Sequence, residues 1–179
     1  MAARSILRVP ASPELSRKAV ADAAGVTPAL VSYYFPEKDS LLAASTAPLV
    51  VAWVTQLLDI IGSPGSRRDR FGLAVTLLVA LHEQEAGLID NALHLGWQSR
   101  QDAQQSLLDA AYATLRAFLI EGIEAGEWRA LDPDRFLAIL WGMCKFVTRS
   151  RDDRPGNQGS RDQTRAELVV DLALKGLSR

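Results

Sequence analysis

Apolar side chains recur every three to four residues along almost the whole chain, and no stretch of useful length alternates as a strand would. The fold class this predicts is all-α. A first helix is expected over about residues 16–24, stopped by Gly25, which can take the left-handed conformation of a helix end. A second starts after Thr27, a good N-cap, with Pro28 in its first position. It ends near Phe35, because Pro36 cannot continue it and restricts the residue before it. Glu37 opens a longer third helix to about Ile61, with Glu37 and Asp39 in its first turn; Pro48 should kink it or split it.

"GSPGS", Gly62 to Ser66, breaks the pattern and is the best internal boundary. Further helices are expected at about 68–85, 88–99 and 102–125. "EAGEWRALDPD" turns the chain at Gly126, and Asp132 caps the next helix with Pro133 in its first position. That helix reaches about 151; "RDDRPGNQGS" reads as a polar loop, and a last amphipathic helix covers about 161–177.

Two short helices around a glycine turn, the second ending in polar and aromatic residues, match a helix-turn-helix. Ala23 and Ala24 are small enough for a close crossing, and Val20, Val26, Leu30 and Val31 are expected as its apolar hinge. The second helix then presents Thr27, Pro28, Ala29, Ser32 and Tyr33 outward, at the width a major groove admits. Hydroxyls at Ser16, Thr27, Ser32, Tyr33 and Tyr34 can donate to phosphate oxygens, beside Arg17. Lys38 adds a charge and a helix N-terminus aimed at the backbone.

"VADAAGVTPALVSYYFPEKDSLL" resembles the DNA-binding signature of the TetR family of bacterial transcriptional regulators. The "AGV", the small residues after it, the "YYF" and the lysine two residues past a proline fall in register. The resemblance implies a small DNA-binding head, here residues 1–47, and a larger helical effector-binding and dimerisation domain, here 48–179. By position, Gly25 would be the turn glycine, and Thr27, Pro28 and Ala29 would face base edges. Tyr33 and Tyr34 would meet phosphate or thymine methyl, Lys38 would contact phosphate, and Phe35 would anchor the helix. Ser32 departs from the pattern, standing where many members carry a phosphate-binding tyrosine.

A second departure lies upstream. The family has a four-turn first helix, whereas "MAARSILRVPASPE" offers only Ile6, Leu7 and Val9 before Pro10. Three expectations follow: the true start lies further upstream, the short segment partly replaces the helix, or the head is degenerate.

Composition narrows the classes. Of 179 residues 48% are hydrophobic and 23% charged, so the chain can bury a core, and its net charge is −1. DNA binding therefore needs a local patch: residues 1–48 carry five Lys/Arg against four Asp/Glu, the remainder fifteen against seventeen. One cysteine, Cys144, excludes an internal disulfide framework. Pro10 and Pro13 interrupt any signal-peptide core, and apolar runs such as "GLAVTLLVALH" are too short for a bilayer. A reducing cytoplasm is expected. No triad, paired-carboxylate site, phosphate-cradling glycine loop or metal spacing is legible, so neither an enzyme nor a cofactor is expected.

In the second part, Trp53, His82, His94, Trp97, Tyr112, Phe118 and Trp141 are either core or the lining of a pocket for a small apolar or aromatic effector. His94 and Trp97, three apart, share a helix face. His82 and His94 lie twelve apart on separate predicted helices, which sets a metal pair aside, and Cys144 reads as a buried apolar residue. Phe136, Leu140 and Val147 on the penultimate helix, with Leu168 and Leu172 on the last, are candidates for a two-fold four-helix dimer interface. The function this implies is a ligand-responsive repressor reading a pseudo-palindromic operator as a homodimer. The alternative is a helical small-molecule- or partner-binding dimer whose head no longer reads DNA.

Overall fold

The computed structural model describes residues 16–98, 103–149 and 164–178; within them the side chains of 38, 39, 42, 84–98, 103–106, 148 and 149 are not described. "MAARSILRVPASPE" and "RDDRPGNQGS", about which the sequence raises expectations, lie outside the described residues. Among those residues every regular element is an α-helix: α1 Arg17–Ala24, α2 Pro28–Tyr34, α3 Lys38–Gly62, α4 Arg67–Gln98, α5 Ala103–Glu124, α6 Pro133–Arg149 and α7 Arg165–Leu177. They form two compact units, Met1–Val54 with Gln84–Asp109, and Thr55–Glu83 with Ala110–Arg179.

Local chemistry explains most of the ends. Ser16 caps α1 by accepting from the Ala19 N–H at 3.1 Å, and Gly25 closes it at φ 67°. The amides of Gly25 and Val26 reach back to the carbonyls of Asp22 and Ala21, a Schellman arrangement that satisfies two open carbonyls. Thr27 and Pro28 start α2 in their expected roles. Asp132 Oδ1 accepts from the amides of Asp134 and Arg135 at the start of α6. A full capping box joins Thr164 and Glu167 at the start of α7.

Two helices differ from expectation. Pro48 lies inside α3 without splitting it. In the turn before it, the hydroxyls of Ser45 and Thr46 donate to the carbonyls of Leu41 and Ala43, local back-bonding that helices tolerate. The pattern predicts separate helices at 68–85 and 88–99 around Gly87, yet α4 runs unbroken to Gln98. A glycine inside a helix costs only about 1 kcal/mol relative to alanine, too little to force an end.

In the first unit α1 packs on α2, around Val20, Ala21, Val31 and Leu41, with Phe35, Ala43 and Leu49 against them. In the second, α6 packs on α7. Phe71 of α4 meets Trp128 and Phe136 at ring-centre distances of 5.7 and 6.0 Å, and Phe118 of α5 meets Trp128 at 5.6 Å. The guanidinium of Arg67 lies 5.1 Å from the centre of the Phe118 ring and pairs with Glu121 and Glu127.

The stretch Ala43–Gly62 of α3, 20 residues, is long and apolar enough to cross a membrane by length and composition, a longer run than the sequence pattern singled out. Its composition also suits a packed helix. Thr46, Val50, Trp53, Val54 and Leu57, at helical spacing, are buried along one side.

Candidate nucleic-acid interface

The geometry of the head follows from which side of α2 is apolar. Val31 is buried against α1, and Phe35, whose N–H closes the helix onto the Val31 carbonyl at 2.8 Å, packs on the same cluster. Away from those anchors the helix turns outward. Thr27, Pro28, Ala29, Ser32, Tyr33 and Tyr34 are all exposed, Tyr33 to 80% and Tyr34 to 67%. The two tyrosine rings stand edge to face at 5.3 Å, so each limits the other's rotamers.

The hinge is composed differently from the expectation. Val20 and Val31 are buried, but Val26 and Leu30 are exposed; the close-packed positions are Val20, Ala21, Val31 and Leu41. Leu30 therefore joins the exposed face of α2, although sequence spacing alone places it inside.

The flanking candidates separate. Ser16 is exposed and occupied as an N-cap. Lys38 is the first residue of α3, and its side chain is among those not described. Arg17 is half-buried and turns back across the motif: Nε donates to the Phe35 carbonyl at 3.2 Å, and Nη2 donates to the Pro36 carbonyl.

Residues 13–45 match the family model described as bacterial regulatory proteins, tetR family. The solved structures add the rest of the chain. PfmR of Thermus thermophilus, a TetR-family transcriptional regulator, superposes with a TM-score of 0.69 at 20% identity, over 92% of this chain and 90% of its own. Residues 13–45 are similar to the tetR-family head, and most of the chain shares the fold of this regulator. FadR from Bacillus subtilis, solved in complex with stearoyl-CoA, is similar in fold, with a TM-score of 0.67 at 17% identity over 98% of this chain and 96% of its own. A TetR/AcrR-family regulator from Thermobifida fusca gives 0.59 at 20%, over 92% and 87%. No curated protein sequence matches this one significantly.

The TetR-like body places the other candidates as follows. Trp53, in the first unit, is buried and its indole N–H has no hydrogen-bond partner among the described residues. His94 and Trp97 lie on α4, with side chains not described. In the second unit His82 is buried, its Nδ1 is 2.8 Å from the Leu78 carbonyl, and its ring stands edge-on to Trp141 at 4.7 Å. Phe118 belongs instead to the Trp128 cluster. Tyr112 is exposed and donates to Asp134 Oδ1 at 2.9 Å, alongside the Arg116 guanidinium. So the second unit brings His82 and Trp141 together and leaves Phe118 and Tyr112 with other partners. An open groove of about 580 Å³ between the first turns of α4 and α7, lined by Arg68, Leu73, Thr164 and Val170 among others, contains none of these candidates. Among the described residues no group of three or more His, Cys, Asp or Glu side chains could hold a metal ion.

Of the candidate dimer residues, Leu140 is buried, Phe136 packs on Phe71, and Val147 is half-buried. Leu168 and Leu172 are exposed. The apolar residues that α6 turns outward are Ile139, 62% exposed, and Phe146, 75% exposed. They are seven apart, two helical turns, with exposed Gly142 between them. Sequence spacing marks that strip as a second apolar line beside the buried Leu137–Leu140–Cys144 line, without telling which of the two faces inward.

Proposed function

We propose that this chain is a DNA-binding transcriptional regulator, acting as a homodimeric repressor released by a small apolar or aromatic effector. The observation that carries the reading is the two-sidedness of α2: Val31 locks one side to the head, Tyr33 stands largely exposed on the other, and Tyr34 is exposed beside it. A globular domain gains nothing by exposing two stiffened tyrosines beside an exposed leucine, whereas a major groove offers phosphates and thymine methyls to them.

Residues 1–47 would form the reading head and 48–179 the effector and dimerisation domain, in the cytoplasm. Thr27, Pro28 and Ala29 would meet base edges; Ser32, Tyr33 and Tyr34, with Ser16 and Lys38, would meet the backbone. The exposed strip of Ile139 and Phe146, with Leu168 and Leu172, supports a two-fold contact between protomers, which would space two heads about one duplex turn apart. The buried N–H of Trp53, unpartnered among the described residues, supports an effector that carries a hydrogen-bond acceptor on an apolar body, and FadR, of the same fold, holds stearoyl-CoA. Effector binding would shift the population toward heads out of register with the operator.

The test is a duplex recovered from a randomised library by the full chain. Tyr33→Ala should weaken binding to it by about 1–3 kcal/mol, and Lys38→Ala should lower the salt slope by about one, with fold and dimer intact. Equal binding by wild type and both variants at matched salt would sink the assignment.

A further inference from the structure

We infer that Arg17 is a positioning residue for DNA reading: its guanidinium clasps the elbow between α2 and α3 and holds the recognition helix at a fixed angle. The inference rests on the DNA-reading function proposed above. Phe35 ends α2 at φ −130° and ψ 76°, outside helical geometry, and Pro36 follows with no N–H to offer. The Phe35 and Pro36 carbonyls therefore point out of the helix, where no amide of α2 can reach them. Arg17 lies eighteen and nineteen residues earlier, in the first position of α1, and spans both acceptors with Nε and Nη2. A planar fork is the side chain that can satisfy two adjacent carbonyls at once, and both bonds are charge-assisted.

The consequence is mechanical. Without the clasp, α1 and α2 are tied only at the Gly25 turn and by the apolar cluster, while the elbow is free to hinge. With it, three points fix α2, and Tyr33 and Tyr34 leave the helix at its clasped end. Motion of α3 is then passed to the whole head rather than absorbed between Phe35 and Lys38. A guanidinium committed to two carbonyls has fewer donors left for phosphate, which sets Arg17 apart from the residues proposed to touch DNA.

Two variants of the full-length protein test this, Arg17→Met, which keeps the stem and loses every donor, and Arg17→Lys, which keeps the charge but cannot fork. The readouts are amide hydrogen exchange in the DNA-free protein and affinity for the library-selected duplex as a function of salt. A clasp predicts faster exchange at residues 33–41 in both variants, unchanged exchange at 67–83, and weaker DNA binding. The loss should be about tenfold for Met and smaller for Lys, following the number of charge-assisted bonds removed. It also predicts that Arg17→Lys keeps the wild-type salt slope while binding less tightly. A phosphate contact gives the opposite pattern, and either half of it overturns the inference: Lys binding like wild type, or Met lowering the slope by about one with exchange unaltered. If Met unfolds the head, the Lys variant decides alone. Failure of the wild type to select any duplex would count against the regulator reading, and the exchange data would still decide the clasp.

Discussion

Cζ3 of Trp128 lies 2.7 Å from the point where a β-carbon on Gly122 would stand. The indole can lie flat on α5 only because that position is bare, and the same turn uses the Gly122 carbonyl twice, accepting from the amides of Glu127 and Trp128. Trp128 in turn packs on Phe71 and Phe118, so a glycine on one helix sets the depth of the whole aromatic cluster. In an open helix, glycine to alanine stabilises by about 1 kcal/mol. Here the sign should reverse: Gly122→Ala is expected to cost about 1–3 kcal/mol through overpacking. Chemical denaturation with unchanged m-value is the measurement, and a stabilised variant would refute the packing.

Two exposed carboxylates are expected to contribute acid sensitivity. Hydrogen bonds from Tyr112 and Arg116 hold Asp134 below its ordinary value of 3.8, and the Thr164 backbone and hydroxyl hold Glu167 below 4.5. A depressed folded value means the unfolded chain binds protons first, so the stabilisation is complete above the ordinary values and is lost as pH falls through the lower folded ones. Thermal unfolding between pH 6 and about 3 should therefore show a fall beginning near the ordinary carboxylate values. The Asp134→Asn and Glu167→Gln pair should flatten that fall, and an unaltered profile in the double variant would count against both contacts.

Cys144 is fully buried, and burial pushes its thiol up to about 12. Only the thiolate is nucleophilic, and almost none exists at pH 8. The native protein should resist iodoacetamide at that pH and react once denatured. Modification as fast as that of a free thiol would show that the α6 core opens readily.

Leu140 and Phe146 should part company on mutation. Truncating buried Leu140 to alanine is expected to cost about 2–5 kcal/mol of stability. Phe146→Asp removes an exposed ring, so it should leave folding nearly unchanged while shifting light-scattering mass toward the monomer. Loss of stability without a change in mass would place Phe146 in the core of its own chain.

These contrasts show where the sequence was legible. Gly25, Thr27, Pro28, Asp132 and Pro133 could be read directly, because capping and turn chemistry act over three or four residues and need no partner elsewhere. The outward placing of Tyr33 was legible for the same reason, with Val31 in the hinge and Phe35 as the anchor; its ring contact with Tyr34 was not. Val26 and Leu30 were misplaced because hydrophobicity says that a residue prefers burial, not that a neighbour is there to bury it. On α6, the periodicity marked an apolar helix but did not say which of its two apolar strips faces inward.

By itself the sequence determined the all-α class, the turn that makes the head a helix-turn-helix, and the register of the residues that face outward from it. Tertiary structure decided what lies many residues away. Pro48 and Gly87 interrupt neither helix, because a local cost of a few kcal/mol or less does not by itself force an end. Arg17 folds back onto the head because two carbonyls nearly twenty residues on stand open to it. Local propensity sets where helices begin and end; only the packed chain sets which polar groups are left to pair across it.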